Sequence, residues 1–554
     1  MTEALEMAMT QLNPVVGDVD GNVARIRQAR TAAAASGCQL MVCGELALAG
    51  YPPEDLVLKR AFQDRIETAI DRLAEMTADG APAILVGAPW RSQGRLHNAA
   101  ILLEDGLVTA IRFKHDLPNY GVFDEKRVFA AGPLPEIVRF RGVQLGVMIC
   151  EDMWTPSVAR HVAGQGAELL VVLNGSPFEV AKTDVRYELA RARADEAGVP
   201  VVYVNLVGGQ DELVFDGASF ACVPGDGLCA RAPAWDAGVT PITWQRQGNA
   251  GWRCLSGSLA PETGGLEAIY TAMVVGLRDY VAKNRFPGVV IGLSGGIDSA
   301  LTAAIAVDAL GAEKVHCVMM PSSFTSVESL EDAGEVAERL GIRLDSVSIG
   351  PAMQAFEKML APVFGNRGRD VTEENIQARA RGLILMAISN KFGHLLVTTG
   401  NKSEMSVGYA TLYGDMCGGF SVLKDIYKTT VFALSRWRNQ AHRSRYLGPA
   451  GAVIPDRVIT KAPTAELRAN QTDQDTLPPY DVLDAILGAL IEEELSVEDL
   501  VHRGFDGELV RRVWRMLDRA EYKRRQAPPG VKITRRAFGR DRRYPITNGF
   551  TGLV

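Results

Sequence analysis

The chain has 554 residues, too many for one core at about 150 residues per domain, so two or more packed units are expected. Hydrophobic residues at 47%, charged residues at 23%, 55 Gly and 27 Pro lie near the averages of folded proteins and exclude disordered and fibrous classes. The net charge of -7 hides an asymmetry: residues 511–543 carry 13 Lys and Arg against 3 acids, so this stretch is +10 and the remainder -17, and the basic end calls for an anionic neighbour.

From the N-terminus, Met1-Thr2-Glu3-Ala4-Leu5-Glu6 sets acids where an export signal needs basic residues and an apolar run. No apolar stretch approaches the 18 residues of a membrane span. The 8 Cys lack CxxC spacing and the 7 His form no HxH or HExxH, so the thiols are expected reduced and any catalytic metal held by oxygen. A cytoplasmic protein without a membrane anchor is the expectation.

Between residues 5 and 245, short β-branched runs at 84–87, 100–103, 143–149, 169–173 and 201–205 alternate with helical patterns at 22–36 and 185–196, which reads as α/β. A Gly-, Pro- and Trp-rich stretch, 224–258, lacks either periodicity and reads as a loose connection. Beyond it, helix 266–283, strand 288–293, helix 299–310 and strand 315–320 spell a βαβ unit and hence a parallel sheet. The expected division is a first domain at 1–245, a connection at 246–264 and a second domain at 265–554.

Cys150 ends an apolar strand, Val143-Gln-Leu-Gly-Val-Met-Ile149, at the edge where α/β sites lie. Alone, such a Cys is most simply a small buried hydrophobe. Two other segments alter that reading: Gly44-Glu45-Leu46-Ala47, where a carboxylate closes an apolar stretch, and Phe113-Lys114-His115-Asp116, which opens a turn-rich loop running to Glu125. The order Glu45, Lys114 after 69 residues and Cys150 after 36 more resembles the carbon–nitrogen hydrolase (nitrilase) superfamily. That resemblance implies a four-layer αββα sandwich acting on an amide or nitrile, with Glu45 as general base, Lys114 as electrostatic partner and Cys150 as nucleophile. It further implies glutamine contacts from Tyr120, Ser176 and Lys182. The chemistry suits the residue types. A thiol near pKa 8.5 is activated by a neighbouring ammonium and a carboxylate base, and a fixed ammonium stabilises the charge of a tetrahedral intermediate.

In the second half, Gly292-Leu293-Ser294-Gly295-Gly296-Ile297-Asp298-Ser299 joins a strand to a helix through a Gly-rich loop. Its amides and the helix N-terminus form an anion nest, and the Lys of a Walker A loop is absent. The pattern resembles the PP-loop ATP pyrophosphatases, on a Rossmann-like parallel sheet. Downstream, Asn375 to Arg381, Thr398-Thr399-Gly400-Asn401-Lys402-Ser403-Glu404, Tyr413-Gly414-Asp415, Pro463-Thr-Ala-Glu466 and Lys523-Arg-Arg-Gln resemble NAD synthetases. By position this implies that Gly292–Ser299 and Thr399 contact ATP, that Asn375, Glu404 and Lys523 contact deamido-NAD, and that Asp298 and Glu404 share Mg²⁺.

Joined, the halves resemble glutamine-dependent NAD synthetases, carbon–nitrogen ligases in which one domain frees ammonia from glutamine and the other spends it on an adenylated carboxylate. Free ammonia would protonate in water, so a sheltered path is expected. The resemblance favours a homo-oligomer. The small-molecule partners that the resemblance implies are glutamine, ATP and deamido-NAD, with neither nucleic acid nor membrane expected. An amidotransferase converting XMP to GMP would need a Cys-His-Glu triad, and an asparagine-synthetase type an N-terminal Cys; neither pattern is evident. A nucleic-acid-binding protein would use the basic stretch, which lacks RNP or KH motifs and has few aromatics.

Overall fold

The computed structural model describes residues 4–225, 227–248 and 251–550. The chain divides into two compact units, Met1–Gly264 and Gly265–Val554.

The first unit stacks two sheets. A seven-stranded sheet runs in spatial order Trp252–Gly257, Gly238–Arg246, Ala4–Gln11, Leu40–Val42, Ala83–Ser92, Arg95–Glu104 and Leu107–Phe113. A six-stranded sheet runs Gly227–Arg231, Phe220–Val223, Val201–Asn205, Leu169–Asn174, Val143–Ile149 and Val138–Phe140. In each, three central strands are parallel and the flanking ones antiparallel.

The period-2 alternation of a strand assigns the residues to layers. Leu5, Met7 and Met9 meet Val147, Ile149, Leu169, Val171, Leu173 and Val202 between the sheets. Ala8, Ile84 and Val86 turn outward against helices Val19–Ala35 and Arg60–Met76. On the other side, Met148, Leu170 and Val172 pack against helices Pro156–Gly164 and Lys182–Ala197. The result is a four-layer αββα sandwich whose central strands are buried on both faces, which is why they read as unbroken apolar runs.

Among the described residues, the stretch 224–258 is not a loose connection. It forms the strands Gly227–Arg231, Gly238–Arg246 and Trp252–Gly257, the last inside the expected 246–264 connection. Register shifts at Ala221/Cys222 and Thr243/Trp244 break the alternation that a sequence pattern would need.

The second unit holds an all-parallel five-stranded sheet in the order Arg343–Ser346, Val315–Met319, Val289–Gly292, Leu395–Thr398 and Phe420–Ser421. The strand order reverses at Val289–Gly292, so its carboxyl end opens onto a crevice between neighbours whose connections leave on opposite sides, the usual place for a ligand in such sheets. The helix Ile297–Leu310 starts there and is almost wholly buried. At its far end Asp308 accepts from Arg438 Nη2 at 2.9 Å and from the Tyr270 hydroxyl at 2.6 Å, tying three helices together with the Arg438 side chain fully buried. Arg438→Met leaves a buried carboxylate without its cation and is expected to cost about 3–5 kcal/mol. Denaturant unfolding of the variant measures this, and the double change Arg438→Met with Asp308→Leu should recover much of the loss.

Candidate active sites

In the first unit, the three residues expected to act together do converge. Cys150 follows the strand Val143–Ile149 and opens the short turn Cys150–Met153; its φ is +46°, a left-handed conformation uncommon for a residue with a side chain. Asp152 holds this turn in place. Its carboxylate accepts from Ile149 N at 3.0 Å and from the amides of His115 and Asp116 at 3.0 and 2.8 Å, which fastens the nucleophile's turn to the loop after Lys114. Lys114 follows the strand Leu107–Phe113, and Glu45 follows Leu40–Val42, so all three stand just past the ends of strands.

The Lys114 ammonium donates to Glu45 Oε1 at 2.7 Å and to both oxygens of Glu125 at 2.9 Å, and Lys114 and Glu45 are fully buried. Glu45 also accepts from Asn98 Nδ2 at 2.7 Å and from Gly175 N at 2.9 Å, while Tyr51 donates to Glu125 at 2.9 Å. Burial works against the Lys114 charge, yet Glu125 and Glu45 outweigh it and hold the ammonium well above its ordinary range. Burial, opposed by Lys114 and reinforced by Glu45, pushes the Glu125 carboxyl up to about 7.

Cys150 departs from the expectation of a thiol lowered by Lys114. Burial, followed by the charge of Glu45, holds it well above the usual thiol range, because the nearby ammonium is already shared between two carboxylates. The resting nucleophile is therefore a neutral thiol, and its activation requires handing the proton to a neighbour.

Glu125 had no assigned role in the sequence reading, although it lies in the Lys114 loop. Its titration supplies a test. The kcat/KM expected of this centre on an amide should rise with pH through about 7 as Glu125 ionises, and Glu125→Gln should lower the rate and remove that limb; a pH–rate profile of both forms measures it.

The expected glutamine contacts lie around the same centre. Tyr120, about half exposed, donates to the Glu151 carboxylate at 2.9 Å and packs edge-on against Phe123. The Lys182 ammonium lies 5.5 Å from the centre of the Phe123 ring. Ser176 is buried, and its hydroxyl accepts from Arg186 Nε at 3.0 Å. Arg186, also buried, donates to the carbonyls of Ser176 and Pro177 at 2.9 and 2.7 Å and pairs with Asp216 at 2.7 Å. Sequence reading missed Arg186, which looks like one more charge on a polar helix.

In the second unit, a cleft of about 310 Å³ opens at the sheet's reversal point, lined by all of Gly292–Ser299, by Thr399 and by Glu404. Gly295 adopts φ +82°, and a Cβ there would stand 2.2 Å from the Ser329 carbonyl, so only Gly fits the turn. Asn401 caps the helix Lys402–Val407 through Glu404 N at 3.0 Å and donates its amide to Asp298 at 2.8 Å, fixing Glu404 in the first helical turn beside Asp298.

Both carboxylates meet the buried ammonium of Lys428, which donates to Asp298 and, at 3.1 Å, to Glu404. Burial opposes the Lys428 charge, and Asp298 and Glu404 outweigh it to raise its pKa; burial, opposed by Lys428 and aided by Asp298, pushes Glu404 up to about 7. Lys428, also missed in the sequence, carries no motif and stands 130 residues from Asp298. Two hard oxygen donors at a phosphate nest fit Mg²⁺, which takes one or two carboxylates and completes its shell with water and phosphate. Among the described residues no group of three or more His, Cys, Asp or Glu side chains is placed to hold a metal alone.

Two expected deamido-NAD contacts do not line this cleft. Asn375 accepts from the Thr411 hydroxyl at 3.0 Å, and the Lys523 ammonium donates to the carbonyls of Gly408 and Ala410 at 2.7 Å. Both brace the loop that carries Tyr409, Ala410 and Gly414 into the wall of the cleft. The basic stretch 511–543 puts only Ala527 and Pro528 on that wall. Much of its charge is spent internally: Arg524 donates to Glu521 at 2.8 Å and to Ser406 O at 2.7 Å, and Lys532 pairs with Asp541 at 3.1 Å.

Residues 6–253 match the carbon–nitrogen hydrolase family and residues 269–527 the NAD synthase family. The chain is 50% identical to the glutamine-dependent NAD(+) synthetase of Rhodobacter capsulatus and 44% identical to that of Acinetobacter baylyi, each over 99% of both chains. It is also similar to the solved glutamine-dependent NAD+ synthetase of Acinetobacter baumannii in complex with ADP, with 43% identity and a TM-score of 0.79 over 99% of this chain and 100% of that one. By both its halves and by full-length identity, the chain belongs to the glutamine-dependent NAD(+) synthetase family.

Proposed function

We propose that the chain makes NAD from deamido-NAD, using ATP and glutamine. Glu45 takes the Cys150 proton as the thiol attacks the glutamine carboxamide carbon, Lys114 stabilises the oxyanion, and the protonated Glu45 delivers its proton to the departing ammonia. Water, activated by Glu45, then hydrolyses the thioester to glutamate. Tyr120, Ser176 and Lys182 seat the glutamine, with Arg186 orienting the Ser176 hydroxyl.

In the second unit, Gly292–Ser299 and Thr399 bind ATP, and Glu404 faces deamido-NAD, while Asn375 and Lys523 act on that substrate through the loop they brace. Lys428 steadies the phosphate charge as the nicotinate carboxylate attacks the α-phosphorus and diphosphate leaves. Ammonia then displaces AMP from the acyl carbon. Asp298 and Glu404 would hold Mg²⁺, which when bound neutralises phosphate charge.

The observation that carries this reading is the pairing, on one chain, of a buried Glu45–Lys114–Cys150 centre with a phosphate nest facing two carboxylates and an ammonium. The test supplies deamido-NAD, ATP and Mg²⁺ with either glutamine or ammonium and measures the products. Equal amounts of NAD, AMP and diphosphate are expected with both nitrogen sources, with glutamate released only in the first; ADP and phosphate in their place would overturn the reading.

The chain acts in the cytoplasm as a homo-oligomer. Helix Gly350–Phe364 buries none of its residues and exposes Met359 and Val363, and helix Val371–Phe392 exposes Leu383 and Phe392, apolar surface that suits a second copy. Light scattering of the chain and of Met359→Glu with Leu383→Glu measures the assembly.

A further inference from the structure

Two of the chain's cysteines meet at one edge of the first unit, on strands that carry no residue of the Cys150 centre. Cys229 lies on Gly227–Arg231, the outer strand of the six-stranded sheet, and Cys254 on Trp252–Gly257, the outer strand of the seven-stranded sheet. Facing sheets normally stand about 10 Å apart, too far for a disulfide, whose Cα atoms lie within about 7 Å. At this edge the sheets come together. Arg231 N donates to Ser258 O at 2.7 Å, Ala260 N donates to Arg231 O at 3.0 Å, and a Cβ on Gly257 would stand 2.7 Å from the Cys229 carbonyl.

Both thiols pack on the same inter-sheet core at this edge and remain partly exposed, close enough to perturb each other. Cys254 also lies 3.6 Å from Ser256 O. Burial works against ionising either thiol, and the first to lose its proton is stabilised by the other. Either thiol can therefore attack first, leaving the other to resolve. Cys38, Cys43, Cys222 and Cys317 are buried, and burial raises each of them to about 11 or 12.

We propose that Cys229 and Cys254 form a reversible redox-modification site that closes to a disulfide in the presence of a small-molecule disulfide such as oxidised glutathione. One thiol of the pair loses its proton to water and attacks one sulfur of the glutathione disulfide, forming a mixed disulfide and expelling one glutathione thiolate. The second thiol then loses its proton to water and attacks the protein sulfur of the mixed disulfide, forming the protein disulfide and expelling the second glutathione. Two protein thiols are oxidised and one glutathione disulfide is reduced to two thiols. The new bond joins the outer strands of the two sheets just before the chain leaves the sandwich at Gly264.

The test incubates the full chain with mixtures of reduced and oxidised glutathione, alkylates remaining thiols after denaturation, and maps the peptides by mass spectrometry. A crosslinked Cys229–Cys254 peptide is expected, two hydrogens lighter than the separate pair, restored by dithiothreitol, with Cys38, Cys43 and Cys317 still alkylated. Cys229→Ser and Cys254→Ser should each instead trap a stable glutathione adduct on the remaining thiol of the pair. Melting of both variants under reducing conditions checks that they fold, and the wild-type map stands without them. Absence of the crosslink while free thiols survive at both positions, or a stable glutathione adduct on wild-type Cys254, would overturn the proposal.

Discussion

Cys150→Ala is expected to abolish glutamine-supported NAD formation, by about 10⁴-fold or more as for loss of a covalent nucleophile, and to leave ammonium-supported formation near the wild-type rate. The expectation follows from the separation of chemistry. Glu45, Lys114, Glu125 and Cys150 all belong to the first unit, whereas the phosphate nest, Asp298, Glu404 and Lys428 all belong to the second. Ammonium supplied from solution makes the first reaction unnecessary without touching the second. Initial rates with each nitrogen source measure the split, and a Cys150→Ala enzyme that still used glutamine would remove the nucleophile assignment.

Asp298→Ala should behave in the opposite way, lowering NAD formation from both nitrogen sources by about 10²–10³-fold, the usual cost of deleting one fixed charge at a reacting phosphate. Asp298 accepts from both Asn401 and Lys428, so its loss frees the Asn401 amide and leaves Lys428 paired with Glu404 alone. Glutamate release from the first unit, followed without deamido-NAD, provides the control and should persist. Loss confined to the glutamine-supported reaction would contradict a role for Asp298 in ATP chemistry.

The sequence exposed those parts of fold and site whose signals are local. Strands Val143–Ile149 and Val201–Asn205 are buried on both faces and spell unbroken apolar runs, so their bounds were readable. Ala4–Gln11 is also central, but its Ala, Met and Glu residues carry little strand preference. Strand Gly238–Arg246 includes Pro241 and a register shift, which hid it inside an apparent connection. Within the sites, Cys150 and the Gly292–Ser299 loop advertise themselves through strand-to-turn position and Gly spacing. Glu125 does not, because Asp116 and Asp124 in the same loop are equally acidic and only the fold aims Glu125 at Lys114. Lys428 and Arg186 are legible only in three dimensions, since each is defined by partners distant along the chain. Lys523 shows the converse. A motif position marked it, yet its ammonium is turned to the carbonyls of Gly408 and Ala410.

The sharing of one ammonium between Glu45 and Glu125 governs how a sealed site begins its chemistry. Thiol, ammonium and two carboxylates form a quartet, and passage of the Cys150 proton to a carboxylate only relocates charge within it. The total stays constant from resting enzyme to armed nucleophile. Creating an isolated thiolate in so dry a place would incur the full penalty of burying an ion, but an internal proton shift beside a standing ammonium avoids it. The fold can therefore keep water out during the attack and still generate its nucleophile on demand.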